Sequence, residues 1–509
     1  MQHMIMEARP LVRVGGVTLG AGVVLWCIGA LIPAAEHPAE LTRRSHSRHQ
    51  IVAPALSSYD SSIGAQEPLP TAQQATLEKT TAIFDPDTDL EYAYYRVPAL
   101  VEHGSFTLAF AQAAGTFERH TPSDIVVKRS TDRGETWTRD LDVIVGNRLG
   151  IPGLGRASRH GTEYGNPVPI SCLATGEVML VFSANQTHLF SVSSSDGIRW
   201  SAPAEIEGVR VPGWGTLVPG PGHGLELRSG IHAGRLVVPF NHMLSESTVV
   251  QTTTYRLSDP DDPRSEPLAV TRYSVENPRA HHSHVGFSHE TRMREHVEGQ
   301  VVDLRIAATP GGSAPTRAGL NAFEARANHA AAMVSDDHGK TWRVGEDIPH
   351  LASNEVSMAE LPGGELVASF RVRHERDGHC RHFAVSTDGG YSWDLRPQSG
   401  ASDSPPNCTV VDPGCQGALV SNGRWLYASG PHDLLERREL ALYASPDAGE
   451  HWKMISRPPA GSRSAGYSDM VVWQPYGVHP WPEIGLAFEQ GTQATGTAIM
   501  HSRISLGNE

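Results

Sequence analysis

The sequence contains few cysteines and has no excess of positive charge. Its 509 residues include five cysteines, none of them in a CxxC pair, which argues against a cysteine zinc site. The 26 histidines show no metal-binding spacing either, so we expect no catalytic metal and no cofactor. The formal net charge of -14 makes the chain a poor general ligand for nucleic acid or anionic membranes. A site for an anionic substrate must therefore create its own local positive field.

Two of the cysteines are close enough in sequence to form a bridge. Cys408 and Cys415 flank a turn sequence, Asp-Pro-Gly at 412–414. A disulfide between them and two free thiols in strands are equally compatible with this spacing. The sequence leaves both alternatives open.

Turn-forming residues are abundant where cysteine is not. The chain has 50 glycines and 36 prolines, and 39% of its residues are hydrophobic. This combination favours an all-β protein over a helical one. The length indicates one large repetitive domain or two ordinary ones.

The N-terminal residues have the order of a targeting segment. Arg9 and Arg13 precede an uncharged run at 14–32, and small residues follow it. This order predicts that 1–35 is a secretory signal peptide or a retained signal anchor, since the run is just long enough to span a bilayer. A linker rich in Pro, Ser and Ala is predicted at 36–80. We expect the remainder to work outside the cytoplasm, secreted or anchored.

An internal repeat organises the rest of the chain. The pattern Ser-x-Asp-x-Gly-x-x-Trp occurs at 130–137, 335–342, 386–393 and 445–452, and 194–200 holds a copy one residue short. Each copy follows a β-rich stretch, so each predicts a strand, a tight turn and a second strand. The Asp side chain caps the turn, Gly supplies the backbone angle and Trp packs beneath, which makes these residues structural. Repeats of roughly 50–65 residues suit four-stranded propeller blades.

The repeats resemble the Asp-boxes of sialidases, and further motifs resemble the exo-α-sialidases themselves. They are Tyr-Arg-Val-Pro-Ala-Leu at 95–100, Asn-Glu-Val at 354–356 with Ser-Phe-Arg at 369–371, Arg-Arg-Glu-Leu at 437–440, Gly-Tyr-Ser-Asp at 466–469 and Ala-Phe-Glu at 487–489. The resemblance implies a six-bladed β-propeller of sialidase type over 81–509. It also implies an arginine clamp of Arg96, Arg371 and Arg437, with Glu489 steadying Arg96.

These residue types fit the chemistry of a sialic acid. Its anomeric carbon carries a carboxylate, which guanidinium groups bind bidentately. A carboxylate nucleophile would be repelled by that group, whereas a neutral tyrosine is not, and sialidases use a tyrosine nucleophile. The resemblance assigns this role to Tyr467. A phenol needs an adjacent base, and Glu355 is the candidate. Arg438, in contrast, is expected to form a surface ion pair.

The sequence departs from the family in the loop before the first box. Sialidases usually carry the acid/base Asp there, but the loop at 112–123 contains no Asp. The register of the resemblance places Arg119 at the position of that Asp. Glu118 and His120 flank it, and Glu118 is the candidate acid/base, whereas Asp124 is expected to be structural. Ala114 stands near the place of an additional family arginine.

These features predict an exo-α-sialidase that removes terminal α-linked sialic acids from glycoproteins, glycolipids or oligosaccharides by retention. Two alternatives stay open at the sequence level. One is a hydrolase of a related 2-keto acid sugar, and the other is a non-catalytic sialoglycan-binding propeller. An activated phenol favours the enzyme, because a lectin does not need one. Contact with a membrane is expected only through the N-terminal segment.

Overall fold

Short antiparallel strands form nearly all of the regular structure. The computed structural model describes residues 75–506 except 117–120, 149, 152–153, 155–160, 212–213, 245–248, 258–266, 276–292, 298–299, 305–327, 351–352, 373–379, 397–409, 459–464, 475–481 and 493–495. All of them belong to one unit, Glu67–Glu509. The predicted N-terminal segment at 1–35 and most of the predicted linker lie outside the described residues. No helix within the described ranges has the length and apolar character needed to cross a bilayer.

The first strand begins inside the segment predicted as linker. It pairs antiparallel with the last strand of the chain, from Thr76 with Ser505 to Phe84 with Ile499. A four-residue helix and a four-stranded antiparallel group follow it. These elements are β1 (Thr76–Phe84), α1 (Pro86–Asp89), β2 (Tyr94–His103), β3 (Phe106–Ala114), β4 (Ser123–Ser130) and β5 (Asp142–Val145).

The next two groups repeat the antiparallel order, and the second of them contains inserted hairpins. The first comprises β6 (Tyr164–Cys172), β7 (Glu177–Ala184), β8 (His188–Ser194) and β9 (Ala204–Glu205). The second pairs β10 (Trp214–Pro219), β12 (Leu236–Leu244), β17 (Asn328–Ser335) and β18 (Arg343–Val344), with β11 (Leu225–Glu226) on β12 and a 3₁₀ helix at Gly230–His232. Between β12 and β17 lie two separate hairpins, β13 (Val249–Leu257) with β14 (Pro267–Val275) and β15 (Met293–Val297) with β16 (Gln300–Leu304).

Two further four-stranded groups and three final strands complete the fold. They are β19 (Ser353–Glu360), β20 (Leu366–Val372), β21 (His382–Ser386) and β22 (Asp394–Leu395), then β23 (Leu419–Ser421), β24 (Leu426–Pro431), β25 (Leu440–Ser445) and β26 (Lys453–Ser456), then β27 (Ala465–Trp473), β28 (Glu483–Thr492) and β29 (Gly496–Ser505). The predicted all-β class is confirmed, and successive four-stranded antiparallel sheets are the strand arrangement of a β-propeller.

The box residues have the structural role that their types predict. In the four full boxes the Ser Oγ donates to the Asp over 2.7–2.9 Å and accepts the Gly N–H over 2.8–2.9 Å. The box glycines have φ between +80° and +93°, where a side chain would be strained. The short fifth box keeps the same pair of bonds between Ser194, Asp196 and Gly197.

The core lies between neighbouring groups of strands. Six buried apolar clusters each combine side chains from two consecutive groups. One of them joins the first and last described strands, because Phe84 of β1 and Ile499 of β29 pack with Leu100 of β2. Each group therefore buries both of its faces against its neighbours, and the first strands of three groups, β2, β19 and β27, carry part of the candidate site.

Candidate active site

Tyr467 and Glu355 meet at the start of two of these first strands. The Tyr467 hydroxyl, on β27, donates a short hydrogen bond to Oε1 of Glu355, on β19. Arg371 of β20 touches both groups, with Nη1 2.6 Å from Oε2 of Glu355 and 3.4 Å from the Tyr467 oxygen. All three side chains are largely shielded from solvent. The arrangement joins a phenol, a carboxylate and a permanent cation in one contact.

Electrostatics fix the proton on the phenol in the resting site. Burial raises the pKa of Glu355, but the Arg371 charge and the hydrogen bonds from Tyr467 and Arg371 outweigh it and hold that pKa below its usual range. Burial and the Glu355 charge raise the pKa of Tyr467 above its usual value, against three nearby guanidinium groups. At neutral pH Glu355 is therefore an ionised acceptor and Tyr467 a neutral donor.

Two more guanidinium groups surround the same tyrosine. The guanidinium carbons of Arg96 and Arg437 lie 5.7 Å and 5.4 Å from the centroid of the Tyr467 ring. Nη2 of Arg437 also donates to the Gly414 carbonyl at 3.4 Å. The structure thus brings together the three arginines predicted from separate parts of the sequence.

Glu489 contacts more of the site than the predicted ion pair. Its Oε1 lies 3.6 Å from Nε of Arg96 and accepts the Val97 backbone N–H at 2.9 Å. Its Oε2 accepts the Tyr467 backbone N–H at 3.2 Å. One buried carboxylate therefore fixes both an arginine and the backbone of the tyrosine.

Local backbone irregularities aim these side chains inward. The pairing of β2 with β3 slips between Arg96 and Ala99, and Val97 has φ +55°. Similar slips occur in β19 around Glu355 and in β27 around Tyr467. Such bulges redirect side chains at the edges of sheets and are common beside functional sites.

The described site carries an excess of positive charge. Three guanidinium groups, those of Arg96, Arg371 and Arg437, face the two carboxylates of Glu355 and Glu489. The balance is one positive charge in a largely buried setting. A single monoanion, such as a sugar carboxylate, would neutralise it.

Other residues near the site carry no role in the sequence reading. Asp469 is fully buried, accepts the Leu100 N–H at 2.8 Å and lies 2.8 Å from Nδ1 of His223. The amide of Gln416 binds the backbone of Ser468. Asp469 stands in the motif at 466–469 without an assigned role, whereas His223 and Gln416 lie in Gly- and Pro-containing segments, at 220–224 and 412–417, that are typical of ordinary turns.

Cys415 is free, so the bridge considered between Cys408 and Cys415 is not formed. Cys415 is fully buried against Tyr467 and Val97. Burial raises the pKa of its thiol to about 12, so it is a neutral packing group. Cys380 is instead disulfide-bonded, and Cys408 lies outside the described residues.

The loop before the first box is only partly described. Glu118, the candidate acid/base, lies outside the described residues, as do Arg119 and His120. Asp124 accepts the Tyr92 hydroxyl at 2.7 Å and the Asn147 backbone N–H at 2.8 Å. These contacts are of the kind expected for a structural residue.

Arg438 and one exposed cluster have structural explanations. Arg438 forms the expected surface ion pair, with Nε 2.6 Å from Oδ2 of Asp433. Asp447, Glu450 and His451 lie close enough to one another to hold a cation. Asp447 already accepts bonds from Ser445 and from both the backbone and the ring of His451, which accounts for the cluster as part of a box turn.

Comparison with known proteins gives a family and a fold. The model of the BNR repeat-like domain matches residues 104–282 and 314–479. Human Sialidase-4 is 26% identical over 355 residues, which are 64% of this chain and 54% of that protein. The chain spans about half the length of the first curated relatives that it matches.

Solved structures of sialidases share the fold. The Hadza microbial sialidase Hz136 superposes with a TM-score of 0.56 at 18% identity, covering 84% of this chain and 68% of that one. Trypanosoma rangeli sialidase in complex with 2,3-difluorosialic acid, described as a covalent intermediate, gives 0.51 at 15% identity over 81% and 54% of the two chains. The family model covers more than half of the sequence, so the chain belongs to the BNR repeat-like domain family, which confirms its resemblance to the sialidases with Asp-box repeats.

Proposed function

We propose that this protein is an exo-α-sialidase that hydrolyses terminal α-linked sialic acids with retention, using Tyr467 as the nucleophile. The observation that carries the proposal is the hydrogen bond from Tyr467 to Glu355 inside a group of three guanidiniums. A binding protein has no need of a phenol paired with an ionised base. Retention by a tyrosine nucleophile is the solution that sialidases use.

The arginines hold the substrate carboxylate. The excess positive charge of the site matches a monoanion, and guanidinium groups bind carboxylates with two parallel hydrogen bonds. Arg371 already contacts Glu355 at 2.6 Å, so it also orients the base. The same three side chains thus fix the anomeric centre beside the Tyr467 oxygen.

In the first step the bond from Tyr467 Oη to the anomeric carbon forms as the bond to the leaving oxygen breaks. The phenol proton passes to Glu355, which is ionised because its pKa is held below its usual range. The leaving oxygen takes a proton from the acid, for which Glu118 is the candidate. Glu118 then accepts a proton from water, which attacks the anomeric carbon, while Glu355 returns its proton to the departing Tyr467 oxygen.

The substrate class follows from the relatives. Human Sialidase-4 and the solved homologues are named for action on sialic acids, and one of the solved structures is of a covalent intermediate with 2,3-difluorosialic acid. We extend this to the chain as an enzyme of sialylated glycoproteins, glycolipids or oligosaccharides.

We also propose a six-bladed propeller. The four-stranded groups beginning at β2, β6, β10, β19 and β23 would be five blades, and β27–β29 with β1 would be the sixth. The buried clusters between consecutive groups, including the one between the chain ends, support a closed ring. An experimental structure with five or seven such groups would contradict the count.

The location outside the cytoplasm remains a proposal based on the N-terminal residues. Arg9 and Arg13 before the uncharged run at 14–32 support export with a cleaved signal or a retained anchor. N-terminal sequencing of the mature protein from its source cells would separate the two, since only cleavage removes residues 1–35.

The test of the reaction is hydrolysis of a fluorogenic aryl sialoside. We expect fluorescence release by the parent protein and its loss in Tyr467→Phe. Proton NMR recorded early in the reaction should show the α-anomer of sialic acid as the first product, because two displacements retain configuration. Absence of hydrolysis in the correctly folded parent, or the β-anomer first, would overturn the proposal.

A further inference from the structure

The residue directly after Tyr467 is held by a side-chain amide. Oε1 of Gln416 accepts the Ser468 backbone N–H at 2.9 Å, and Nε2 donates to the Ser468 carbonyl at 3.0 Å. Gln416 is fully buried, and its Nε2 also lies 3.4 Å from the Pro221 carbonyl. One amide thus makes the two bonds that a neighbouring strand would make.

Gln416 takes the place of a neighbouring strand, and this matters because β27 is the last strand at one edge of its sheet. Its ladder partner is β28, and β27 ends the strand order on the other side. The pairing with β28 also slips between Ala465 and Ser468, at Tyr467 itself. The ladder alone therefore leaves the position of the Tyr467 backbone less constrained than that of a regular strand.

The segment that carries the Gln416 amide is itself held in place by hydrogen bonds. Arg381 is buried and binds Asp412 at 3.0 Å, the Cys415 carbonyl at 2.5 Å and the Gly417 carbonyl at 2.9 Å. Its Nε also binds the Ser369 hydroxyl at 2.8 Å. The segment that carries Gln416 is thereby tied to the strand that carries Arg371, which preorganises the amide.

We propose that Gln416 is a positioning residue for the nucleophile, acting through the backbone of Ser468 to keep the Tyr467 hydroxyl on Glu355. The inference rests on the proposed function for its catalytic meaning, but the positioning itself is a property of the folded protein. Gln416 contacts no reacting atom. Its effect should appear in the geometry of Tyr467 and in kcat, and not in the affinity of the arginines for a carboxylate.

Gln416→Glu is the most informative variant, because a protonated carboxyl group can make the same two hydrogen bonds as the amide. The neutral acid accepts from Ser468 N–H and donates to the Ser468 carbonyl, whereas the ionised form only accepts and faces two carbonyl oxygens. The quantity to compare is kcat of the variant on an aryl sialoside divided by kcat of the parent at the same pH. Near neutral pH we expect this ratio to be reduced on the order of 10²-fold, since a small misplacement of a reacting group costs this much. The ratio should rise as the pH falls and the buried carboxyl takes up its proton.

Two variants serve as comparisons. Gln416→Met keeps the side-chain length and loses both bonds, so its kcat ratio should be low at every pH. Asn241→Asp makes the same amide-to-acid change at another buried amide, on β12, which bonds the Val218 carbonyl at 3.5 Å and has no contact with β27 among the described hydrogen bonds. Its kcat ratio should not follow the same recovery in acid.

A spectroscopic experiment tests the positioning role of Gln416 separately from the proposed sialidase activity. The NMR signal of a ¹³C-labelled phenol carbon of Tyr467, assigned by its loss in Tyr467→Phe, reports the bond to Glu355. In Gln416→Glu this signal should shift with pH through the ionisation of the new carboxyl, and in Gln416→Met it should be displaced at all pH values. A responsive signal in a protein that hydrolyses no sialoside would refute the proposed function and support the positioning role. An unmoved signal in both Gln416 variants, with thermal unfolding confirming that they fold, would overturn the positioning role.

Discussion

A single arginine, Arg371, links the proposed base Glu355 and the proposed nucleophile Tyr467. It contacts Glu355 at 2.6 Å and the Tyr467 oxygen at 3.4 Å from one nitrogen atom. Burial lowers the pKa of Arg371, but the Glu355 charge outweighs burial and raises it, so the guanidinium is a permanent cation. The same group is proposed to bind the substrate carboxylate.

We predict that Arg371→Ala weakens binding of sialic acid or its unsaturated analogue. Truncating one partner of a desolvated charge pair typically costs about 2–5 kcal/mol, part of which comes from the unpaired charge left behind. Isothermal titration calorimetry measures the loss. Arg438→Ala is the matched control, because Arg438 is one residue from Arg437 but pairs with Asp433 at the surface. Equal affinities for the parent and Arg371→Ala would remove Arg371 from the site.

The site residues differ in how far the sequence could reveal them. The sequence motifs point to Tyr467, Glu355 and the three arginines, because charge and nucleophile types are tied to the chemistry. Gln416 and His223 were not assigned, since an amide or imidazole that binds backbone or a buried carboxylate has no characteristic spacing. The second task of Glu489, holding the Tyr467 backbone, depends on a bulge that no pattern in the sequence specifies.

At the scale of the elements, the glycine of a box turn packs against a strand from another part of the fold. Gly134 has φ +80°, and a Cβ added there would lie 2.1 Å from the ring of His501, a buried residue of β29. The turn of the first box is thus packed on the last strand of the chain. The sequence predicted the turn and its glycine, but not this contact between distant elements.

We predict that Gly134→Ala destabilises the protein more than Gly104→Ala. Both glycines have positive φ, which costs an alanine about 1–2 kcal/mol. A Cβ at Gly104 meets nothing within 4 Å, whereas at Gly134 it overlaps His501 and adds about 1–3 kcal/mol of overpacking. Chemical denaturation gives both free energies of unfolding. Equal losses would show that the ring of His501 moves aside without cost.

A second link between elements depends on a proton. His223, in the loop before β11, pairs with Asp469 of β27, which also holds the Leu100 N–H of β2. Burial lowers the pKa of His223, but the charge and hydrogen bond of Asp469 outweigh burial and raise it above its usual value. Protonated His223 therefore ties three parts of the fold together.

We predict that this pair makes stability depend on pH. A histidine whose folded-state pKa is raised contributes stability that is full below its unfolded pKa, about 6.5, and is lost as the pH rises through the folded pKa. Each pH unit between the two pKa values corresponds to about 1.4 kcal/mol. The unfolding free energy of the parent minus that of His223→Gln should therefore fall as the pH rises above about 6.5. His188→Gln, which removes an exposed contact with Glu205, is the control. A difference that does not change with pH would contradict the prediction.

At the scale of the whole molecule, the site exists because residues from three separate sheets meet at one place. Arg96 and Tyr467 belong to the sheet that contains both ends of the described chain, Glu355 and Arg371 to a second sheet, and Arg437 precedes a strand of a third. The repeat predicted separate strand groups from the sequence. Their convergence could not be read from it, because it depends on the packing of each group against the next.

The composition of the whole site determines which leaving groups it removes. The described part holds the residues proposed as nucleophile, base and anion clamp, and Glu118 is the proposed acid. A sugar hydroxyl leaves poorly without a proton, whereas an aryl group departs largely unaided.

General acid assistance is worth about 10²–10⁴-fold, so Glu118→Gln should reduce kcat/KM on sialyllactose by roughly this factor and on an aryl sialoside far less. Tyr467→Phe should abolish both reactions, because it removes the nucleophile from each. The two substrates are compared on one preparation of each variant, so the ratio does not depend on the amount of active protein. Equal losses for Glu118→Gln on the two substrates would exclude Glu118 as the leaving-group acid, and full activity of Tyr467→Phe would overturn the mechanism.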